Sequence, residues 1–312
     1  MSSPASALSS GAPGSSAPRS SEVASPPSAA PVARPRGRQV VLEVVRRESL
    51  TPHLVRVYLG GDGFDDFSAG ADPDKLACTD TYTKLLLAKP GLGLEPPYDL
   101  EALRAQLPRE DVPSRRTYTI RDVDESARTI AIDFVVHGDD GLAGPWAASA
   151  RPGDRIALSL PGGGYAPADG DVTHVIVGDD SALPAIARAV AALREDARGV
   201  VVVEVDDEAS QLPLEAPPGI EVRWLHRVGP DGTAHPGTLM VAAVDALDRP
   251  DGDLDIFAHG ERAAMKRLGA IFQEKWGIGR REMSVSAYWA HGRAEDAFQA
   301  EKRESVGKIF AD

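Results

Sequence analysis

Arg155-Ile-Ala-Leu-Ser-Leu160-Pro161-Gly162-Gly163-Gly164 and, eight residues on, Val172-Thr-His-Val-Ile-Val177 mark the point where this chain changes its period. The first run is a short strand closed by turn residues. The second is mostly apolar, as a strand covered on both faces requires. Upstream of this seam, segments 39–45, 53–59, 82–88, 116–121 and 129–136 carry β-branched and aromatic residues, and with 155–160 they make six strands. Turn clusters such as Gly60-Gly61-Asp62-Gly63 separate several of them. Six strands with little helix predict a small antiparallel barrel. The stretch 90–113, with proline at 90, 96, 97, 108 and 113, reads as a loop insertion with a short helix at 100–107.

Downstream of the seam, 182–193 has a helical pattern and 200–205 is a second apolar strand. Segments 221–225 and 254–258 continue the series, with a helix at 237–247 between them. Over 261–276 the residues Met265, Leu268, Phe272 and Trp276 form one apolar stripe, the mark of an amphipathic helix. Strands alternating with helices predict a parallel sheet. The expected plan is thus a tail at 1–37, a barrel domain at 38–166 and an α/β domain at 167–312 that ends in a charged helix.

Composition narrows the partners. The chain has 312 residues, 42% hydrophobic and 26% charged, with a net charge of -13. An acidic chain is a poor match for nucleic acid, whose phosphates need a basic face. The single cysteine, Cys78, excludes an intramolecular disulfide framework, a four-cysteine zinc site and a self-contained iron–sulfur cluster. It reads as a buried small hydrophobe. No run approaches the ~18 apolar residues of a membrane span. Residues 1–37, rich in Ser, Ala and Pro, lack the apolar core of a secretory signal and read as a disordered tail. The expected location is the cytoplasm.

Three motifs carry chemistry. In Arg116-Thr-Tyr-Thr-Ile-Arg121, two guanidinium groups flank a phenol and a hydroxyl. Strand alternation puts Arg116, Tyr118 and Ile120 on one face and Arg121 on the other. A phenol can stack on a planar ring and a guanidinium can grip a pyrophosphate, which suits a large, flat, phosphorylated cofactor. An ordinary exposed strand uses the same residue types. In His137-Gly138-Asp-Asp-Gly141-Leu-Ala143-Gly-Pro-Trp146-Ala147, glycines allow close backbone approach, and a helix starting near Pro145 offers N–H groups to an anion. A plain turn before a proline-started helix fits equally. His137 could be a base, a ligand-facing donor or a structural histidine, and the seven histidines show no metal-ligand spacing. In Gly178-Asp179-Asp180-Ser181-Ala-Leu-Pro-Ala185, a strand end meets a helix start, where open α/β sheets bind ligands. Asp180 or Ser181 could also be plain helix caps. The glycine-rich dinucleotide fingerprint is absent.

Taken in order, these motifs, with Pro152-Gly153-Asp154, Gly260-Glu261 and Tyr288-Trp289-Ala290-His291-Gly292, resemble the siderophore-interacting proteins. These are FAD-dependent ferric-siderophore reductases of the ferredoxin–NADP reductase superfamily. The resemblance runs from Val40 to Phe298. It implies that Tyr118 packs against the isoalloxazine, that Arg116 and Arg121 support the flavin and its phosphates, and that Thr119 bonds the flavin ring or ribityl. It implies that His137, Gly138, Gly141, Ala143, Trp146 and Ala147 line the ribityl and pyrophosphate. Asp179, Ser181 and Glu261 are expected near the nicotinamide, with Tyr288 and Trp289 close to the flavin. The chain departs from the family pattern at Leu142, usually proline, at Asp180 and Ser181, usually Glu and Thr, and at Ala290, usually arginine.

Between Arg262 and Arg293 seven basic residues face two acidic ones, a local charge near +5. As a group, Lys266, Arg280 and Arg281, joined by Lys84, are expected at a substrate mouth that attracts an anion. The resulting expectation is an FAD flavoprotein that passes electrons from NADH, NADPH or reduced ferredoxin to a ferric siderophore. It needs no protein-bound metal and no catalytic acid or base. A flavin reductase for another acceptor and a siderophore-binding module without hydride transfer remain the alternatives.

Overall fold

A computed structural model describes residues 39–136, 138, 141–230 and 232–310. The tail at 1–37, His137, Asp139 and Asp140 lie outside the described residues. Strands β1 (Gln39–Thr51), β2 (Leu54–Gly60), β3 (Tyr82–Leu87), β4 (Ser114–Asp124), β5 (Thr129–Val135) and β6 (Arg155–Ser159) close into an antiparallel barrel in the order β1-β2-β5-β4-β3-β6. The pleat explains the closure. Val40, Leu42 and Val44 alternate with outward residues along β1, and Ile130, Ile132 and Phe134 are fully buried along β5. Each strand thereby fills the small interior from one face.

Helices α1 (Phe64–Gly70) and α2 (Pro73–Ala77) follow β2 and lie outside the predicted elements, although Asp72 caps α2 and Pro73 opens it. Phe64 and Phe67 of α1 are nonetheless buried in the barrel core. The loop insertion carries α3 (Leu100–Gln106), and α4 (Ala143–Ser149) plugs the barrel with Ala143 and Ala147. Cys78, expected in a core, is half-buried at the seam, where its Sγ donates to the Asp74 carbonyl at 3.3 Å.

The second half is a five-stranded parallel sheet in the order β13-β12-β7-β8-β9. Its elements are β7 (Val172–Asp179), α5 (Leu183–Ala191), β8 (Arg198–Val205), β9 (Gly219–His226), a small ribbon β10 (Val228–Gly229) and β11 (Gly232–Thr233), α6 (Thr238–Asp245), β12 (Asp253–Glu261), α7 (Arg262–Ala270) and β13 (Met283–Trp289). The apolar run of β7 is covered on both faces, as its composition predicted. Ile176 packs under α5 with Ile186 and Ala189, while Val175 and Val177 face Met240 of α6 and Met265 and Leu268 of α7. The predicted helix over 261–276 is two pieces, since α7 passes into a π-helical turn at Ile271–Lys275. The wider turn puts Phe272 and Trp276 side by side, ring centroids 5.1 Å apart, on the buried face. The chain ends in α8 (Glu295–Glu301), a short helix that returns to β4.

Candidate functional site

A cavity of about 720 Å³ opens where the barrel strands β3 and β4 meet the carboxyl ends of the parallel strands. The barrel wall is the predicted clamp: Arg116, Thr117, Tyr118 and Thr119 all line it, with Tyr82 and Lys84 from the neighbouring strand. Tyr118 is backed by Phe134, ring centroids 4.5 Å apart, and Phe134 by Trp146 at 5.6 Å. This aromatic stack anchors the phenol in the barrel core, so its ring is a fixed flat wall. Burial also holds its hydroxyl well above the ordinary phenol range, and it is neutral at physiological pH.

Arg116 is only 13% exposed along its side chain and pairs with Asp296 of α8 at 2.8 Å. Arg121 goes elsewhere. A bulge between Ile120 and Asp122 shifts the register of β4 on β5, and Arg121 lines a separate small pocket with Arg188 of α5. The structure therefore places one of the two clamp arginines in the cavity.

The glycine turn, expected along the ribityl and pyrophosphate, lies beside the barrel core. Gly138 and Gly141 adopt left-handed φ values of 58° and 80°, with open space where a Cβ would stand. Ala143 and Ala147 are buried in the barrel core, and Trp146 supports Phe134. None of these five lines the cavity; Ala143, Ala147 and Trp146 pack in the core that backs Tyr118.

The opposite wall is the topological switch point of the sheet, between β7 and β12, where such folds bind ligands. Asp179 is buried there and accepts four hydrogen bonds: from the Ser181 N–H at 3.0 Å, the Ser181 hydroxyl at 2.5 Å, the Glu261 N–H at 2.8 Å and the Trp289 indole at 2.8 Å. Burial, and next the charge of Asp180, push its carboxyl up to about 6. Glu261 caps α7 by accepting from Ala264 and His291. Of the five residues expected at the nicotinamide crevice, Ser181, Tyr288 and Trp289 line the cavity, and Asp179 and Glu261 hold that wall from behind.

Two residues of this wall had no sequence signal. His259 bridges the Tyr288 hydroxyl at 3.0 Å and the Ser284 hydroxyl at 2.9 Å. Burial pushes its imidazole down to about 3, so it is neutral and serves to fix Tyr288. Arg227 is buried against Asp180 at 2.7 Å and Asp206 at 2.6 Å. A histidine inside an apolar strand and an arginine in a loop carry no spacing that distinguishes them; the nearby Gly260-Glu261 pair was the available marker.

The expected basic mouth is not one surface. Lys84 lines the cavity, but Lys266 donates to the Val306 carbonyl at 2.7 Å and Arg280 lies over the Phe310 ring. Arg280 and Arg281 precede β13, which pairs parallel to β12 with Met283 opposite Ile256 and Trp289 opposite Glu261. They therefore stand at the amino end of the strand, away from the cavity. Sequence proximity to Trp289 concealed a full strand length. Among the described residues, no cluster of three or more His, Cys, Asp or Glu could hold a metal ion, and no helix is long and apolar enough to cross a membrane.

Two family models match the chain in succession. The siderophore-interacting FAD-binding domain covers residues 43–165, and the siderophore-interacting protein model covers 172–292. An uncharacterised protein of Mycobacterium tuberculosis is 40% identical over 84% of this chain and 94% of its own length. The ferric vibriobactin reductase of Vibrio cholerae is 29% identical over 86% of this chain and 96% of its own. Among solved structures, a siderophore utilization protein from T. fusca matches with a TM-score of 0.67 and 34% identity, covering 82% of this chain and 94% of that one.

Proposed function

The chain belongs to the siderophore-interacting protein family, and from that membership we propose that it is an FAD-dependent reductase of ferric siderophores, fed by NADH, NADPH or reduced ferredoxin. The observation that carries the reading is the fixed Tyr118 wall, with Arg116 and Thr119 beside it, in a cavity that also opens onto the switch point of a parallel sheet.

The residues present suit a flavin dinucleotide. A cavity of about 720 Å³ with one aromatic wall and a half-buried guanidinium offers a flat apolar face and an anion donor in one space. Tyr118 would hold the isoalloxazine, Thr119 would bond the ring or ribityl, and Arg116 would meet a phosphate. Its Nη1 and Nη2 groups serve Asp296 and the Arg115 carbonyl, which leaves its Nε–H edge for that contact. When bound, a flavin accepts a two-electron equivalent and can hand electrons on singly. On the opposite wall Ser181, Tyr288 and Trp289 would border the reductant. Asp179 and His259 keep that wall rigid through the hydrogen bonds to Trp289 and Tyr288.

Siderophores bind iron through hard oxygen donors, which hold Fe(III) far better than Fe(II). Reduction of the substrate therefore releases the metal with no acid or base from the protein. Lys84 at the rim would attract an anionic chelate. The test is direct. Purified protein is expected to be yellow, or to become so with FAD, to bleach anaerobically with NADH, NADPH or reduced ferredoxin, and to recolour on addition of a ferric siderophore as Fe(II) appears in a chelator trap. Bleached protein that no ferric siderophore reoxidises would sink the reading.

A further inference from the structure

The charged C-terminal segment carries no motif, and it begins beyond both family models, the second of which ends at residue 292. Its helix α8 nonetheless forms one side of the cavity. Glu295, Gln299 and Lys302 line it, and Asp296 accepts two hydrogen bonds from Arg116, at 2.8 and 3.2 Å. These four residues stand against the strand that carries Tyr118.

The attachment of α8 is slight compared with the two cores. One buried side chain, Phe298, packs in a small cluster with Ala287, Ala290 and Ile309. Ala290 makes that seat possible, since it is 3% exposed and a longer side chain there would meet Phe298. The other ties are polar: the part-buried pair of Glu301 with Arg262 at 2.5 Å, the more open pair of Glu301 with Arg293 at 3.0 Å, Arg262 and Lys302 over the Phe298 ring, and the pin itself, in which Asp296 is 69% exposed. Pairs with one partner open to solvent, as Asp296 and Arg293 are, contribute little each and weaken with salt. The connection to β13 contains Gly292 at φ 71°, with open space around it, where the backbone can pivot.

We infer that α8 is a retaining wall for the flavin dinucleotide, pinned shut by Asp296 on Arg116 and held weakly enough to lift when the cofactor exchanges. The inference rests on the flavin reading of the cavity. A bound dinucleotide filling this space cannot leave past Glu295, Gln299 and Lys302 without moving the helix. The pin must break on the way out, so its loss acts on the dissociation rate. Pin and phosphate need not compete, because Asp296 takes the Nη edge of Arg116 and leaves the Nε–H side.

The experiment uses the full-length chain loaded with FAD and follows the recovery of flavin fluorescence after dilution. Asp296→Asn is expected to release FAD about threefold faster, and Phe298→Ala, which unseats the helix, about tenfold faster. Release from the parent protein is expected to quicken with salt, and Asp196→Asn, which breaks a remote surface pair with Arg194, to change nothing. Unchanged release in both α8 variants would show the helix to be idle. Slower release from Asp296→Asn would show that Asp296 competes with the phosphate for Arg116, the reverse of a retaining pin. Failure of the parent chain to take up FAD appears at loading, before any rate is read, and removes the flavin reading itself.

Discussion

Tyr118 joins the barrel core to the cavity: its ring packs on Phe134 and also lines the site. Truncation to alanine removes the flat wall while leaving Phe134, Trp146 and the strand ladder in place. Tyr118→Ala is therefore expected to weaken flavin binding about tenfold, an aromatic stack being the main loss, with a smaller effect on unfolding. Flavin retained through gel filtration, set beside the melting temperature, checks the order of the two losses. Asp179 makes the second prediction. Its carboxyl is raised from 3.8 to about 6, so the folded chain binds this proton more tightly than the unfolded chain does. The resulting stabilisation is fully present below the unfolded value and is lost as pH rises through about 6. The indole of Trp289 donates to this carboxylate, so its fluorescence should titrate in the same range. Asp179→Asn should lack that step; an identical titration in the variant would refute the assignment. Tyr118 was legible because its neighbours in the strand are chemically unusual together. Asp179 was legible only as a position, since its four partners come from Ser181, Glu261 and Trp289, which the chain separates by up to 110 residues.

At the level of elements, α5 does more than cover the sheet. Arg188 reaches across the seam, donating to the carbonyls of Ile120 at 3.0 Å, Leu76 at 3.1 Å and Cys78 at 3.0 Å. Arg188→Met keeps the apolar stem but leaves those carbonyls without their donor. The expected cost is about 2 kcal/mol, read as a lower urea midpoint. The central strands and α7 were legible because their apolar spacing is set by burial on known faces. The edge strand β13 was not. Its sequence Met-Ser-Val-Ser-Ala-Tyr-Trp is only partly buried, and Ser284 and Ser286 face the cavity instead of a core. Gly260, at φ 153°, shows the same limit: a Cβ there would come within 2.6 Å of the Asp179 carboxylate, a reason for glycine that only the packed sheet supplies.

Across the whole molecule, the cavity belongs to neither half alone, since its walls are β3 and β4, the sheet end and α8. The sequence by itself determined the two architectures, the seam between them and the clamp strand, because alternation, apolar runs and turn residues are local consequences of which face each element buries. It also determined the chemical types available at the site. Only the tertiary structure decided which of those residues share one space. Packing of α5 gives Arg121, already on the opposite face of its strand, a separate pocket with Arg188, parallel pairing puts Arg280 and Arg281 at the far end of β13, and the core draws Ala143 and Ala147 inward. Chain return brings Asp296, 180 residues distant, onto Arg116. Such contacts depend on long-range register and on the direction in which a strand runs, and neither is written in local spacing.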